Sequence, residues 1–287
     1  MHEILHIFLH ALEHTLKDGI SLLPFLFLTY FLMELIEHTS KDKAKAFISS
    51  SGRFGPLVGG VLGTIPQCGF SAAIAGLYSG RVITLGTLFA IFLSTSDEML
   101  PIMISNKFPV SSVVTVIVTK ALIGAVVGFL VDLILKRRSN AEHITHVCED
   151  EGCHCENGVL RSALHHTLSV FLFIFAVGFI LEAVIGILGE DLLASLISGA
   201  PVISNIVTAT IGLIPNCAAS VVITELYIEG IISAGAMMSG LLVGAGMGTL
   251  VLFRTNKNLK ENLLILLSLW TIGALAGVLL DTVGFHI

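Results

Sequence analysis

Ile65-Pro66-Gln67-Cys68-Gly69 and Ile214-Pro215-Asn216-Cys217 each set a proline, an amide and a thiol inside a long apolar run. The two stretches lie 149 positions apart, Pro66 to Pro215. The same offset pairs Ser71 with Ser220 and Leu77-Tyr78 with Leu226-Tyr227. It also pairs Gly86 with Gly235, Gly124 with Gly273, Gly128 with Gly277 and Asp132 with Asp281. With a small gap, Glu34 answers Glu182 and His14-Thr15 answers His166-Thr167. One unbroken offset over more than sixty residues is the signature of an internal duplication.

Proline removes a backbone donor and clashes with the preceding helical turn. At membrane depth, freed backbone groups persist only where protein buries them or a cavity is lined by them. Two prolines at equivalent positions therefore predict two broken or re-entrant helices, at Pro66 and Pro215. A pair of kinked helices with ordinary packing is the alternative.

The rest of the chain supports a membrane setting. Of 287 residues, 54% are hydrophobic and only 13% charged, with a mean hydropathy of +0.93. A soluble domain carries about a quarter charged residues, so this composition argues against a soluble enzyme and a disordered chain. A net charge of −6 gives no support to nucleic-acid binding. Five cysteines without a secretory cleavage pattern do not read as a disulfide framework. A helix needs ~20 mostly apolar residues to cross a bilayer core. Candidate spans run over 19–36, 54–80, 82–104, 110–135, 168–188, 201–227, 231–253 and 263–283. The expected class is an all-α polytopic membrane protein. Its expected divisions are an amphipathic interfacial helix (1–18), a first transmembrane repeat (19–135), a cytosolic Cys/His-rich loop (136–160) and a second repeat (161–287).

Basic residues orient these spans. Lys41, Lys43, Lys45 and Arg53 place the first loop inside, as Lys136, Arg137 and Arg138 do the central loop, and Arg254, Lys257 and Lys260 the last. Glu190 and Asp191 sit in a loop without basic residues, expected outside. These assignments agree only if each half crosses an odd number of times, which makes the repeats inverted in topology. The segment 54–104 holds two apolar blocks but needs an odd number of crossings, so one block must turn back or split. The matching segment 201–253 has the same requirement.

Several residues within the spans could carry chemistry. Asp97 and Glu98 lie in Ser96-Asp97-Glu98-Met99-Leu100-Pro101, where two adjacent carboxylates are expensive to insert, at ~2.5–3.5 kcal/mol each. Their equivalent in the second half, Gly244-Ala245-Gly246-Met247-Gly248, has no acid. Such acids face a polar pathway or sit at a solvent-exposed span end. Lys120 lies midway along 110–135, and a buried ammonium needs a partner, with Asp97 or Glu98 expected. That pair reads as a proton relay or as a static lock. Gln67, Asn216, Cys68 and Cys217 stand at the two breaks. The amides offer hard oxygen and the thiols soft sulfur, although a buried cysteine also serves as a small apolar residue. Glu34 and Glu182 are expected to snorkel to the interface, and Glu225 is a weaker ligand candidate.

Two histidine-bearing segments lie outside the spans. His2, His6, His10 and His14 recur at every fourth residue and would form one stripe on a helix, a metal site or simply a polar face. The central loop carries His143, His146, Cys148, Cys153, His154 and Cys155 within thirteen residues. This is the composition of a flexible metal-capture site, without the paired spacing of a structural zinc site. Solvated filler is the alternative.

With these features the chain resembles a family of bacterial polytopic permeases described as manganese transporters or arsenic efflux proteins, related to the organoarsenical permeases. The resemblance rests on the two proline stretches, on Ser96 to Pro101 and on the central loop, and covers nearly the whole chain. It implies outward transport of a metal or metalloid ion across the inner (plasma) membrane. Asp97, Glu98, Gln67 and Asn216 suit manganese, whereas Cys68, Cys217 and Met99 suit arsenic(III) or a softer metal. A secondary transporter exporting a divalent metal, with proton coupling, is the expectation. Arsenite or organoarsenical efflux and a passive channel are the alternatives. Hydrolysis would need a nucleophile–base pair that no span provides, so no enzyme is expected, nor any permanently bound cofactor. Expected partners are the ion and the lipid bilayer, with a homodimer left open and nucleic acid excluded.

Overall fold

Breaks in the helical pattern, rather than helix propensity, set the architecture. A computed structural model of the chain describes residues 9, 11–13, 15–17, 19–20, 23–24, 26–32, 54–65, 68–96, 99–135, 159–188, 201–285 and 287. Among the described residues there is no strand, and the protein is all-helical. In the first half the helices are α1 (Gly55–Leu62), α2 (Cys68–Ser79), α3 (Leu85–Ser94), α4 (Met99–Ser105) and α5 (Val110–Leu135). In the second they are α6 (Val159–Leu188), α7 (Pro201–Gly212), α8 (Cys217–Ile228), α9 (Ala234–Val243), α10 (Met247–Thr255) and α11 (Leu259–Val283). The described residues between 9 and 32 are also helical, and Ala11 and Thr15, within the expected interfacial segment, are buried. Gly19 lies against Phe171 of α6.

The question left by the charge arithmetic is which apolar block turns back. At 1.5 Å per residue, α1 and α2 are ~12 and ~18 Å long, short of a ~30 Å hydrocarbon core. Gly55 lies beside Thr87, in the first turn of α3, and Gly59 and Gly63 lie beside Ile91 and Ser94 farther along it. So α1 runs parallel to α3. Only Gly80 to Thr84 separate α2 from the start of α3, so the chain goes in along α1 and returns along α2. The block 54–80 is therefore the hairpin, and 85–105 crosses as a helix that breaks after Ser94. In the second half α7 and α8 form the hairpin and α9–α10 the broken helix.

The same hydrogen-bonded unit is built twice. Asp132 of α5 accepts from Thr84 Oγ1 (2.6 Å) and from the Gly86 amide (2.8 Å). Asp281 of α11 accepts from Ser233 Oγ (2.8 Å) and from the Gly235 amide (2.9 Å). Each carboxylate thus satisfies amides that the first turn of a broken helix leaves unpaired. Thr84 and Ser233 are the N-caps of those helices. Asp281 also accepts from Asn205 of α7 (2.7 Å).

Glycines let these helices approach. A Cβ on Gly86 would overlap the Gly128 carbonyl, and one on Gly277 the Gly235 carbonyl and Ser239 Oγ. This is the small-residue packing that replaces hydrophobic drive inside a bilayer. Gly277→Leu is therefore expected to destabilise the protein by about 3 kcal/mol through overpacking, read as a lowered midpoint in detergent-solubilised thermal unfolding.

Among the described residues, five helical stretches are long and apolar enough to cross a membrane. The broken ones, Leu85–Ser105 and Ala234–Thr255, are 75% and 83% buried over their most apolar stretch, and the long helices α5, α6 and α11 only 28%. The broken helices form the interior, and the long helices turn residues such as Leu122, Phe129, Leu164, Leu267 and Leu279 outward. An apolar perimeter suits lipid as the solvent.

Polar and aromatic contacts join the halves at each end as well. The Arg81 guanidinium donates two 2.8 Å bonds to the Glu261 carboxylate, which also accepts from the Tyr78 hydroxyl. Ser79 and Thr255 share a 2.6 Å hydrogen bond beside them. At the other end the Tyr227 hydroxyl donates to the Ile287 carbonyl (3.1 Å), and its ring meets Phe108.

Candidate functional site

The two chain breaks of the second half and the single break of the first broken helix meet around one buried ammonium. Lys120 is 1% exposed, midway along α5. It donates to the Thr95 carbonyl at the C-terminus of α3 and to the Leu241 carbonyl in the last turn of α9 (2.8 Å). Both carbonyls face breaks. The amide that would continue α9 onto Leu241 belongs to Ala245, and it bonds Val243 instead (2.8 Å). Lys120 therefore satisfies acceptors that the breaks release, and it places positive charge at the negative ends of two helix dipoles. The expectation paired Lys120 with Asp97 or Glu98. Both acids lie outside the described residues, while Ser96 and Met99, which flank them, are buried.

The break of the second hairpin supplies the opposite wall. Asn216 is the N-cap of α8, where its side-chain oxygen accepts from the Ala218 amide (3.1 Å). Its other face donates to the Glu182 carboxylate of α6. Cys217 follows, 4% exposed. A cavity of about 20 Å³ lies between, lined among others by Met99 and Lys120 from the first half and by Asn216, Cys217, Ser220 and Gly246 from the second. One water occupies ~10–15 Å³ on this measure, so the space suits a bare ion or one or two waters. Its wall mixes soft sulfur with hard amide and hydroxyl oxygen, beside a cation.

Of the sequence-predicted residues, Lys120, Asn216 and Cys217 come together here, with Met99. Cys68 begins α2, but its side chain, like Gln67, Asp97, Glu98 and Glu34, lies outside the described residues. So do the histidine stripe His2, His6, His10 and His14, and the loop residues His143, His146, Cys148, Cys153, His154 and Cys155. Among the described residues no group of three metal-ligating side chains is gathered. Glu225 is exposed on α8.

Glu182, expected near the end of its span, is half-buried two residues before the end of the apolar stretch Ala163–Val184, and its carboxylate accepts from Asn216. The signal was present: Glu34 and Glu182 correspond within the duplication, as Gln67 and Asn216 do. Acid and amide at matching places in both halves imply a common partner. Ser220, the duplicate of Ser71, was also legible only in that way. The site is nonetheless asymmetric, because the offset of 149 puts Leu269, buried and apolar, at the place of Lys120.

The fold and site define a multi-pass helical membrane protein. Residues 114–246, less than half of the chain, match a protein-family model described as "Putative, 10TM heavy-metal exporter". The matched stretch contains Lys120, Asn216 and Cys217 and stops short of the Pro66 break. No curated protein and no solved structure matches the chain.

Proposed function

We propose that the protein is a secondary transporter that exports a metal ion through the cavity between its two halves. The observation that carries this reading is Lys120, a buried ammonium seated on carbonyls released by two broken helices, beside a wall of Asn216, Cys217 and Met99. Buried charge at backbone breaks within spans is the arrangement of an ion pathway. The likeness to a heavy-metal exporter family over residues 114–246 supports the same reading.

The inverted topology expected from the charges is also part of this proposal. Glu261 and Asp281 are twenty residues apart on α11, ~30 Å along its axis. Arg81, at the turn after the first hairpin, binds Glu261, and Ser233, at the turn after the second, binds Asp281. The two hairpins thus open at opposite ends of the molecule, as inverted repeats require. The inner membrane, with the central loop in the cytosol, is the proposed location. Labelling of Cys148, Cys153 and Cys155 by an impermeant maleimide added outside intact cells would sink this orientation.

Within that framework we favour a divalent ion such as manganese, held by Asp97, Glu98 and the amides of Gln67 and Asn216, with the Cys/His loop collecting metal from the cytosol. Cargo cation and ammonium then compete for one polar centre, which links flux to protons. The sulfurs of Met99 and Cys217 favour arsenic(III) as the second reading. A channel would transport without any coupling ion. Proteoliposomes loaded with manganese, cadmium or arsenite, with and without a proton gradient, separate these readings. Asp97→Asn combined with Glu98→Gln is expected to abolish manganese binding and uptake, and unchanged affinity would move the site to the two cysteines.

A further inference from the structure

We infer that the cavity exchanges its ion along the seam between α4 and α8, on the side expected outside, and that the mirror seam between α2 and α10 is a closed inner gate latched by Arg81 and Glu261. This rests on the proposed function and gives its pathway a direction. The offset of 149 maps α2 onto α8 and α10 onto α4, so the two seams compare residue by residue. At the deep end of the inner seam, a Cβ on Gly248 would come within 2.9 Å of Ser71 backbone atoms. The two helices thus touch through their backbones, with no side chain there to swing aside. Farther along, Ser79 and Thr255 share their hydrogen bond, and Arg81 and Tyr78 bind Glu261. Opening this seam requires the halves to separate and the ion pair to break.

The outer seam carries different residues at these places. Met99 stands for Gly248 opposite Ser220, the duplicate of Ser71, and both line the cavity. Asn106 and Ile228 replace Thr255 and Ser79, and Ser112 and Gly230 replace Glu261 and Arg81. The Asn106 side chain donates to the Ile102 carbonyl of its own helix (3.1 Å) rather than across the seam. Beyond Met99 and Ser220, no hydrogen bond or ion pair among the described residues joins α4 to α8. There the Phe108 ring meets that of Tyr227, with centroids 6.0 Å apart. A thioether and two rings change rotamer without displacing a backbone. The cavity is therefore screened from one side by movable side chains, and from the other by packed backbones and an ion pair. Alternating access around a fixed site needs a barrier on each side, and in this conformation the inner one is the firmer.

The test uses the full-length protein in sealed vesicles of both orientations, with Cys68, Cys148, Cys153 and Cys155 replaced by serine so that Cys217 is the remaining thiol. In a companion sample Ser105→Cys, at the exposed end of α4, marks the outer side. An impermeant maleimide should label Cys217 from the marker's side about tenfold or more faster than from the other. Arg81→Ala should raise labelling from the other side about tenfold. Because Arg81→Ala also loses stability, a second variant leaves the latch in place: Ser79→Cys with Thr255→Cys, oxidised to a disulfide. It should stop manganese(II) flux at saturating metal, restore it on reduction, and leave Cys217 labelling from the marker's side unchanged. Faster labelling from the Arg81 side, a Cys217 reactive from neither side in any variant, or flux indifferent to the cross-link would overturn the inference while leaving the transporter reading intact. Sided labelling that responds to Arg81→Ala, in a protein that moves no manganese, cadmium or arsenite, would keep the gate and overturn the transporter reading.

Discussion

Replacing Lys120 by methionine is expected to destabilise the protein by about 3 kcal/mol and to leave any residual metal flux independent of pH. The stability loss follows from backbone accounting. Methionine fills much of the same volume but donates nothing, so the Thr95 and Leu241 carbonyls lose the bonds they make to the ammonium. A buried acceptor left without its partner costs about 1–3 kcal/mol, and two are exposed to that loss. No other described residue satisfies them in the same way, because the helices that carry them have ended or broken there. Thermal unfolding in detergent measures this part. The functional part follows from the proposed competition: Lys120→Met removes the ammonium that would exchange a proton against the cargo. Counterflow in proteoliposomes at pH 6 and 8 should show a pH-dependent wild type and a flat Lys120→Met. If the proposed carboxylate site holds the ion, manganese binding should survive. Pairing Lys120→Met with Leu269→Lys would not rescue, since Leu269 sits in the wrong half.

The second large effect is expected at Arg81. Its bidentate pair with Glu261 joins the turn after the first hairpin to the start of α11, across 180 residues of chain. Side-chain exposures of 19% and 8% put the pair between surface and interior. Breaking a buried pair by removing one partner costs about 3–5 kcal/mol, and partial exposure reduces this to about 2 kcal/mol. Arg81→Ala should lose that amount, because it removes both guanidinium bonds to the Glu261 carboxylate. Glu261→Gln should lose less, since an amide still accepts from Arg81 and Tyr78. A double-mutant cycle read by thermal unfolding would give the coupling, and values within error of zero would reduce the contact to a surface pair. The hydrogen bonds it donates to Glu261 hold the Arg81 guanidinium above its ordinary pKa, against the opposing effect of burial. A raised cation contributes its stability in full below its ordinary pKa and loses it only above, so on the arginine side the contribution is constant throughout the physiological range. Arg81 also sits at φ 58°, in the left-handed region, as its counterpart Gly230 does at φ 75°. Substitution by glycine would relieve that backbone while removing the charge, and the two effects oppose each other.

The sequence by itself determined the class of protein, the duplication and the positions of the breaks. Apolar runs of bilayer length require helices, because a lipid environment leaves backbone groups no other partner. Pro66 and Pro215 cannot donate to a helical ladder, so the helices had to end near them. The recurrence of Gly86, Gly128 and Asp132 as Gly235, Gly277 and Asp281 is legible as a pattern, and these residues close the same contact in both halves. Sequence could not choose which apolar block turns back, because blocks 54–80 and 82–104 have similar lengths and compositions. That choice was decided by which helix finds a glycine-lined partner, α1 along α3 and α2 along α10. Nor could it place Glu182. Periodicity counts residues to a helix end, whereas the carboxylate's destination depends on a hairpin tip 34 positions later in the chain. Lys120 shows the same limit from the other side: its charge announced a partner, and only the tertiary structure showed that two broken helices had left carbonyls for it to take.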